Sequence, residues 1–161
     1  MMLRVLLALV LAASLAAPAA AQSELVAADS AEAVNHRLTE AEFAQFAAVV
    51  NRMDSVFQGN TRAFAGLEWK LDAPLTLDSL GTRYESHVAM RAELARAGMT
   101  GRAFFLTLAA LMYAQRAVHM DDDSYLDSLP PAHAANARWV KSRQADVGRL
   151  FRILAVVRTE D

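Results

Sequence analysis

Four polar side chains are the strongest candidates for a ligand site; three of them recur at helical spacing, and the fourth lies on the next predicted helix. His87 and Arg91 lie four positions apart and share one helix face with Tyr84. An arginine on an apolar face is costly to bury unless it is paired, so an anionic ligand would suit it. A short turn at residues 98–100 is expected to place Gln115 level with Tyr84. The sequence therefore predicts a polar pocket for an anionic ligand, built from Tyr84, His87, Arg91 and Gln115.

The same residues admit simpler interpretations. Arg91 can run its stem along the core and place its guanidinium in water, where it would pair with Asp54, while His87 lies at the edge of the core. The expected register also sets His87 beside Met112, and a histidine and a methionine on facing helices can hold a non-covalent haem. Methionine is more often core filler, so we predict no cofactor.

Oxygen and nitrogen ligands concentrate around a predicted loop, and such a loop can bind a divalent cation. The EF-hand pattern is broken there, because Tyr125 stands where an acidic or amide residue belongs and no glycine follows. We therefore expect a solvated acidic turn, and no metal site, in the segment that holds His119, Asp121, Asp122, Asp123, Asp127 and His133.

A second charged feature lies near the carboxyl terminus. If residues 136–157 form one helix, four basic side chains fall within an arc of about 80° at 100° per residue; they are Arg138, Lys141, Arg149 and Arg152. This basic face suits an acidic partner or anionic lipid headgroups, and it also matches the solvated side of an ordinary amphipathic helix. The chain holds no G-x-S-x-G, H-E-x-x-H, P-loop or Rossmann glycine pattern, so we expect a binding protein and not an enzyme.

The first 21 residues have the pattern of a cleavable secretory signal. Arg4 precedes an apolar run over residues 5–15, and three alanines at 19–21 supply the small side chains that a signal peptidase reads. The run is too short for a membrane span, which needs roughly 20 apolar residues. We expect cleavage after Ala21, a periplasmic or secreted protein, and no stable membrane span afterwards.

Composition limits what such a chain can do. Its 161 residues include no cysteine, which excludes disulfides, thiolate metal ligands and covalent haem attachment. The formal net charge is −2, and together with export this argues against nucleic-acid binding. The fold must be stabilised by its core, and a chain of this length can bury one.

The amino-terminal part of the domain begins with a clear helix signal. Residues 22–37 lack an apolar period and are interpreted as a mobile leader or a marginal helix, ahead of a domain over residues 38–158. Thr39 and Glu42 are spaced as a capping box, and Gly59 suits a left-handed helix end. Between them runs one apolar stripe: Phe43, Phe46, Val50, Met53 and Phe57.

Three further helices follow a long connection over residues 60–75, which has room for a short helix of its own. A second helix is expected from Thr76 to Ala97, and Gly98 with Thr100 then forms a stop and restart that makes the next helix antiparallel to it. This third helix, residues 101–119, is apolar almost all round and should be the most enclosed. Asn136 is expected to cap a last helix. The pattern predicts an all-α, four-helix bundle-like domain.

The segment Leu38–Glu42 resembles the LTxxQ motif of the Spy/CpxP family of periplasmic helical chaperones, which implies a small, exported, all-α protein. The resemblance covers five residues, has Glu42 where the family has glutamine, and lacks the family's second copy. A capping box accounts for the same residues, so we claim no membership. We interpret the chain as an exported, non-catalytic module with a protein or envelope partner. Binding of a small ligand or haem inside the bundle is the alternative.

Overall fold

The protein is all-helical in the part that the computed structural model describes, residues 25–67, 75–120 and 123–157. The predicted signal peptide, Trp69 and Leu71 of the connection, and Asp121 and Asp122 of the acidic segment lie outside these residues. Eight helices occur within them: α1 Ala27–Asn35, α2 Glu40–Gly59, α3 Leu77–Ser86, α4 Val88–Ala97, α5 Gly101–His119, α6 Asp123–Ser128, α7 Pro131–Ser142 and α8 Gln144–Val157. The all-α prediction is confirmed. The four-helix arrangement is not confirmed, because the described residues form eight helices.

Helix α5 lies at the centre of the packing. It contacts α1, α2, α3 and α7, and it holds more buried side chains than any other helix whose buried residues are described. The ring of Phe104 lies 5.0 Å from that of Phe46 on α2 and 6.1 Å from that of Tyr84 on α3. The prediction that the third apolar segment is the most enclosed helix is confirmed.

Side-chain caps begin the helices where the sequence indicates. At α2 the Thr39 hydroxyl accepts from the Glu42 amide while the Glu42 carboxylate accepts from the Thr39 amide, which is the predicted capping box. Thr76 and Ser79 form a second box at α3, and the Thr100 hydroxyl caps α5. These caps satisfy amides that the first turn of a helix leaves without a partner.

Glycines end two helices in different ways. Gly98 terminates α4 in the left-handed conformation with φ of 65°, as predicted. Gly59 stays helical as the last residue of α2, so its predicted left-handed cap is wrong. The link after Gly98 also differs from expectation, because α4 and α5 meet at a bend of 79° and are not antiparallel neighbours.

Three helices end at a serine whose hydroxyl donates to the carbonyl three residues back, at 2.7 Å in each case; these are Ser86, Ser128 and Ser142. In an uninterrupted helix, the carbonyl that the serine hydroxyl contacts would accept from the amide of the residue after the serine. Here the residue after each serine is His87, Leu129 or Arg143, and its amide donates instead to the carbonyl three residues before that residue. Serine hydroxyls compete with the helix ladder in this way.

These serines divide two predicted helices. The second predicted helix is broken at His87, which separates α3 from α4. Leu77, Leu80 and Tyr84 before the break are buried, whereas beyond it Val88 is 72 % exposed and Ala95 is exposed. The last predicted helix is likewise broken at Arg143 into α7 and α8.

The expected start of the last helix is also wrong. Helix α7 begins at Pro131, because a first-turn proline loses no hydrogen bond and has its φ already set for a helix. Asn136, the predicted cap, lies inside α7 and is buried. Its side chain accepts from the Leu38 amide at 3.0 Å and donates to the His36 carbonyl at 2.7 Å. The residue therefore fixes α7 to the link between α1 and α2.

Helix α1 lies in the segment interpreted as a mobile leader or a marginal helix, and it favours the helix. Residues 27–35 form a regular helix that packs on α5 and α7, with Ala33 only 1 % exposed. Asp29 of α1 accepts from the Leu77 amide at 2.7 Å, which supplies a partner at the start of α3. Among the described residues, no single helix has the length and apolarity of a membrane span, whereas α4 and α5 taken together across their bend do.

Gly81 of α3 lies directly against Gly101 of α5. A Cβ placed on Gly81 would lie 2.5 Å from the Arg102 amide nitrogen, and one on Gly101 would lie 2.4 Å from the Gly81 carbonyl oxygen. Glu85 of α3 accepts from the Gly101 amide at 2.6 Å across the same crossing. The contact between α3 and α5 therefore requires that both positions lack a side chain.

We predict that Gly81→Ala lowers the free energy of unfolding by about 1–3 kcal/mol, because the added methyl forces the two backbones apart. The loss should appear although alanine is the better helix former by about 1 kcal/mol. Urea unfolding followed by circular dichroism measures it. Gly59→Ala is the matched control, since a Cβ there meets nothing within 4 Å. Equal stability of the two variants would contradict the close crossing.

Candidate functional site

The structure does not bring the four predicted pocket residues together. Tyr84 is buried with its ring edge-on to Phe105 at 4.5 Å, near the beginning of α5. Gln115 lies ten residues beyond Phe105 on the same helix, about 15 Å further along the axis at 1.5 Å per residue. Arg91 is exposed on α4, beyond the break. The predicted register depended on an antiparallel turn that the chain does not make.

His87 and Gln115 have separate surroundings. The His87 Nε2 lies 3.3 Å from the Ala65 carbonyl oxygen, and its buried Nδ1 has no hydrogen-bond partner among the described residues. The Gln115 Nε2 lies 3.1 Å from the Nε2 of His119, and within the described ranges its buried Oε1 likewise has no hydrogen-bond partner. Each residue thus has an unpartnered atom, but the two atoms do not define one site.

Two alternative interpretations concern this region, a haem site at His87 and Met112 and an exposed Arg91 paired with Asp54. Met112 is 59 % exposed, and the bend between α4 and α5 removes the register that set it beside His87 for haem. Asp54 accepts from Gln58 at 3.4 Å, and no ion pair joins it to Arg91. Arg91 nonetheless places its head in water, as the simpler interpretation expects.

The described side chains of the predicted acidic turn contact other residues separately. Asp127 pairs with Arg138, and the His133 Nε2 lies 3.1 Å from the Tyr113 carbonyl oxygen. Within the described ranges, no group of three or more histidine and carboxylate side chains could hold a metal ion. The side chains of residues 121–123 are not among those described.

An open groove of about 430 Å³ lies between α6 and α7, lined by Leu126, Asp127, Arg138, Lys141 and Ser142. Leu126 lies at the floor of the groove and is only 4 % exposed. Asp127 and Arg138 face each other across it as an ion pair, with side chains 73 % and 56 % exposed. The groove therefore combines a buried leucine with two cations and one carboxylate.

The α7 side of the groove belongs to a basic segment, whereas the α6 side carries Asp123 and Asp127. Residues 131–157 carry five arginine or lysine side chains and one aspartate, whereas the whole chain has a formal net charge of −2. The single basic face predicted over residues 136–157 is divided by the break at Arg143. Arg138 and Lys141 line the groove beside α6, while Arg149 donates to Asn51 of α2 at 2.7 Å.

A cluster around Trp139 fixes α7 to the first turn of α2. The Trp139 Nε1 donates to Glu40 Oε1 at 2.9 Å, and Arg143 Nη2 lies 2.7 Å from the same oxygen. The Arg143 guanidinium sits 4.4 Å from the centre of the Trp139 ring, and Phe43 packs edge-on against that ring at 4.8 Å. Sequence reasoning missed this cluster, as it missed Leu126 and Ser142. Pro131 is the available signal for the beginning of α7.

A network of ion pairs centred on Arg102 joins α1, α3 and α5. Arg102 donates to both Glu32 carboxylate oxygens at 2.9 and 2.7 Å and to Asp78 at 2.8 Å. The hydrogen bonds from Arg102 lower the pKa of Glu32; the charges of Arg102 and His36 act in the same direction, and partial burial opposes them. The pKa of Arg102 is raised, first by its hydrogen bond to Glu32. This network holds α1 on α5.

The fold and the groove define an all-α protein with a basic surface groove. No protein-family model, curated protein or solved structure matches the chain.

We predict that stability falls on acidification through Glu32. A lowered pKa means that the folded state favours the ionised carboxylate, so its contribution is present above the ordinary pKa of 4.5 and is lost as the pH falls further. Both side chains are about two-fifths exposed, so the contribution is about 0.5–1 kcal/mol. Urea unfolding between pH 7 and pH 3 should show Glu32→Gln less stable at pH 7 and equal to the wild type at pH 3. Arg102→Gln should remove the same pH dependence, and its persistence there would contradict this assignment.

Proposed function

We propose that the protein is an exported, non-catalytic interaction module that binds an acidic segment of a protein partner in the groove between α6 and α7. The observation that carries the proposal is the groove itself, in which buried Leu126 is flanked by Arg138 and Lys141. The secretory-signal pattern of residues 1–21 supports export to the periplasm or the medium.

The shape of the groove favours a macromolecular partner. Small-ligand sites enclose most of their ligand's surface, whereas this groove is open to solvent along α6 and α7. An apolar centre with a charged rim is the usual composition of a protein–protein interface, and arginine is enriched there. No specific observation favours a ligand or haem inside the bundle, since Tyr84, His87 and Gln115 do not converge.

Charge favours an acidic partner. The basic segment over residues 131–157 contrasts with the net negative charge of the whole chain. Opposite charge accelerates the encounter of two proteins and orients them, and like charge disfavours other partners. Attraction of this kind weakens with added salt. An anionic membrane surface presents similar charge, so it is the competing outcome in the experiments.

We predict that a photo-cross-linking amino acid at Ser142 captures a protein partner in the cells that make this protein, because the side chain lines the groove. Adducts identified by mass spectrometry should be lost when Arg138→Glu and Lys141→Glu are combined. A matched control reverses Arg62 and Arg116, which are exposed and do not line the groove. The same probe at exposed Thr82 of α3 reports random capture. Equal labelling from residues 82 and 142, or adducts that survive the groove reversal, would refute the proposed site.

Export has its own test. We predict that the intact mass of the protein recovered outside the cytoplasm corresponds to a chain that starts at Gln22, because the peptidase reads the alanines before it. A chain with residues 2–21 deleted should stay in the cytoplasm. Recovery of the full-length chain from the cytoplasm of the native cells would contradict export.

A further inference from the structure

The ion pair at the rim of the groove suggests how binding is controlled. Asp127 on α6 and Arg138 on α7 are both more than half exposed, so their pairing in water contributes little to stability. It nevertheless places a carboxylate of the protein itself on one of the two cations that line the groove. Any acidic side chain that approaches Arg138 meets this carboxylate first.

We propose that Asp127 competes internally with the carboxylate of the bound partner, and that the partner segment carries an acidic side chain next to an apolar one. This inference rests on the proposed function. The apolar side chain would reach Leu126, which is 4 % exposed, as the contacts of α6 give way. The acidic side chain would take over Arg138, and the Asp127–Arg138 pair would give way to an intermolecular pair.

The geometry of the pair permits this exchange. Asp127 contacts the guanidinium through one nitrogen, Nη2. A carboxylate that arrives from outside can instead form two parallel hydrogen bonds with the planar guanidinium, which is the stronger arrangement. Release of Asp127 leaves its carboxylate in water, because the side chain is already 73 % exposed. The exchange therefore buries no unpaired charge.

The element that carries Asp127 is also the one best able to adjust. Helix α6 has six residues, and its principal packing neighbour is α7. Leu126 is its buried side chain, and Ser128 ends the helix by donating to the Tyr125 carbonyl. Arg138, in contrast, stands on a helix that Asn136, Trp139 and Arg143 fix to α1 and α2. A partner would thus displace contacts of a short helix while Arg138 stays in place.

The test uses the mature chain and two synthetic peptides, and it follows amide chemical shifts by NMR during titration. One peptide alternates glutamate and leucine; the other has glutamine in place of every glutamate. We expect the acidic peptide to shift the amides of Leu126, Arg138 and Lys141, and the neutral one to leave them unchanged. Asp127→Asn should tighten binding of the acidic peptide by at least threefold, and Arg138→Gln should weaken it by at least as much.

A double variant separates competition from a general change in charge. If Asp127 acts through Arg138, Asp127→Asn should give no gain when Arg138→Gln is already present, because the two effects are coupled. Asp146→Asn is the matched control: it removes one exposed negative charge from the same basic segment without touching the groove. It should change the affinity by less than twofold.

The outcomes distinguish the inference from the proposed function. Acidic-peptide binding that Asp127→Asn leaves unchanged, or that Asp146→Asn tightens equally, would overturn the competition and leave the groove as the binding site. If no variant binds the acidic peptide at the groove, both proposals fail. Preferential binding to vesicles of anionic phospholipid, with shifts at Arg149 and Arg152 and not at Leu126, would also overturn both and identify a membrane surface as the occupant.

Discussion

The burial of α5 on several sides is the constraint on which the remaining structure depends. A helix whose apolar residues lie almost all round it cannot be satisfied by a single neighbour, so α1, α2, α3 and α7 all pack against it. In an up-and-down four-helix bundle each helix turns one face toward a shared core. Apart from α2, the surrounding helices are instead short, and the chain changes direction at the bend after Gly98 and at the breaks at His87 and Arg143. The close crossing of Gly81 and Gly101 lets the backbone of α3 reach α5 directly.

The sequence predicted the threonine caps well and the serine breaks poorly, for a physical reason. The hydroxyls of Thr39 and Thr100 satisfy amides three residues away, so neighbouring residues are enough to identify them. The breaks after Ser86 and Ser142 depend on a hydroxyl and an amide competing for one carbonyl. Ser55 also donates to a carbonyl, that of Asn51 four residues back, and α2 continues through it. Residue type therefore does not reveal which serine ends a helix, because tertiary packing selects between the two geometries.

The candidate site was predictable in its parts but not as a whole. Asp127, Arg138 and Lys141 each stood out in the sequence, but in two separate features, an acidic turn and a basic helix face. They line one groove because residues 123–128 form a helix and because α7 begins five residues before its predicted cap. The pocket predicted around Tyr84 failed for the opposite reason. Tyr84, His87 and Arg91 share a local spacing, but the pocket needed the chain to reverse direction at Gly98 so that Gln115 would face them. The chain instead bends by 79° between α4 and α5.

Helix α7 joins the fold to the proposed site: one of its faces packs on the rest of the protein, and another lines the groove. Asn136 fixes it to the link before α2, and Trp139 and Arg143 fix it to the first turn of α2. Arg138 and Lys141 on another face line the groove. Their helix is already held in place before any partner arrives, so binding need not spend free energy on ordering it. The opposite side of the groove is a six-residue helix with one buried leucine. In the proposed mode of binding, α7 keeps Arg138 and Lys141 in place, while α6 adjusts to apolar side chains of different sizes. Charge at Arg138, more than the shape of the apolar contact, should therefore determine which segments bind.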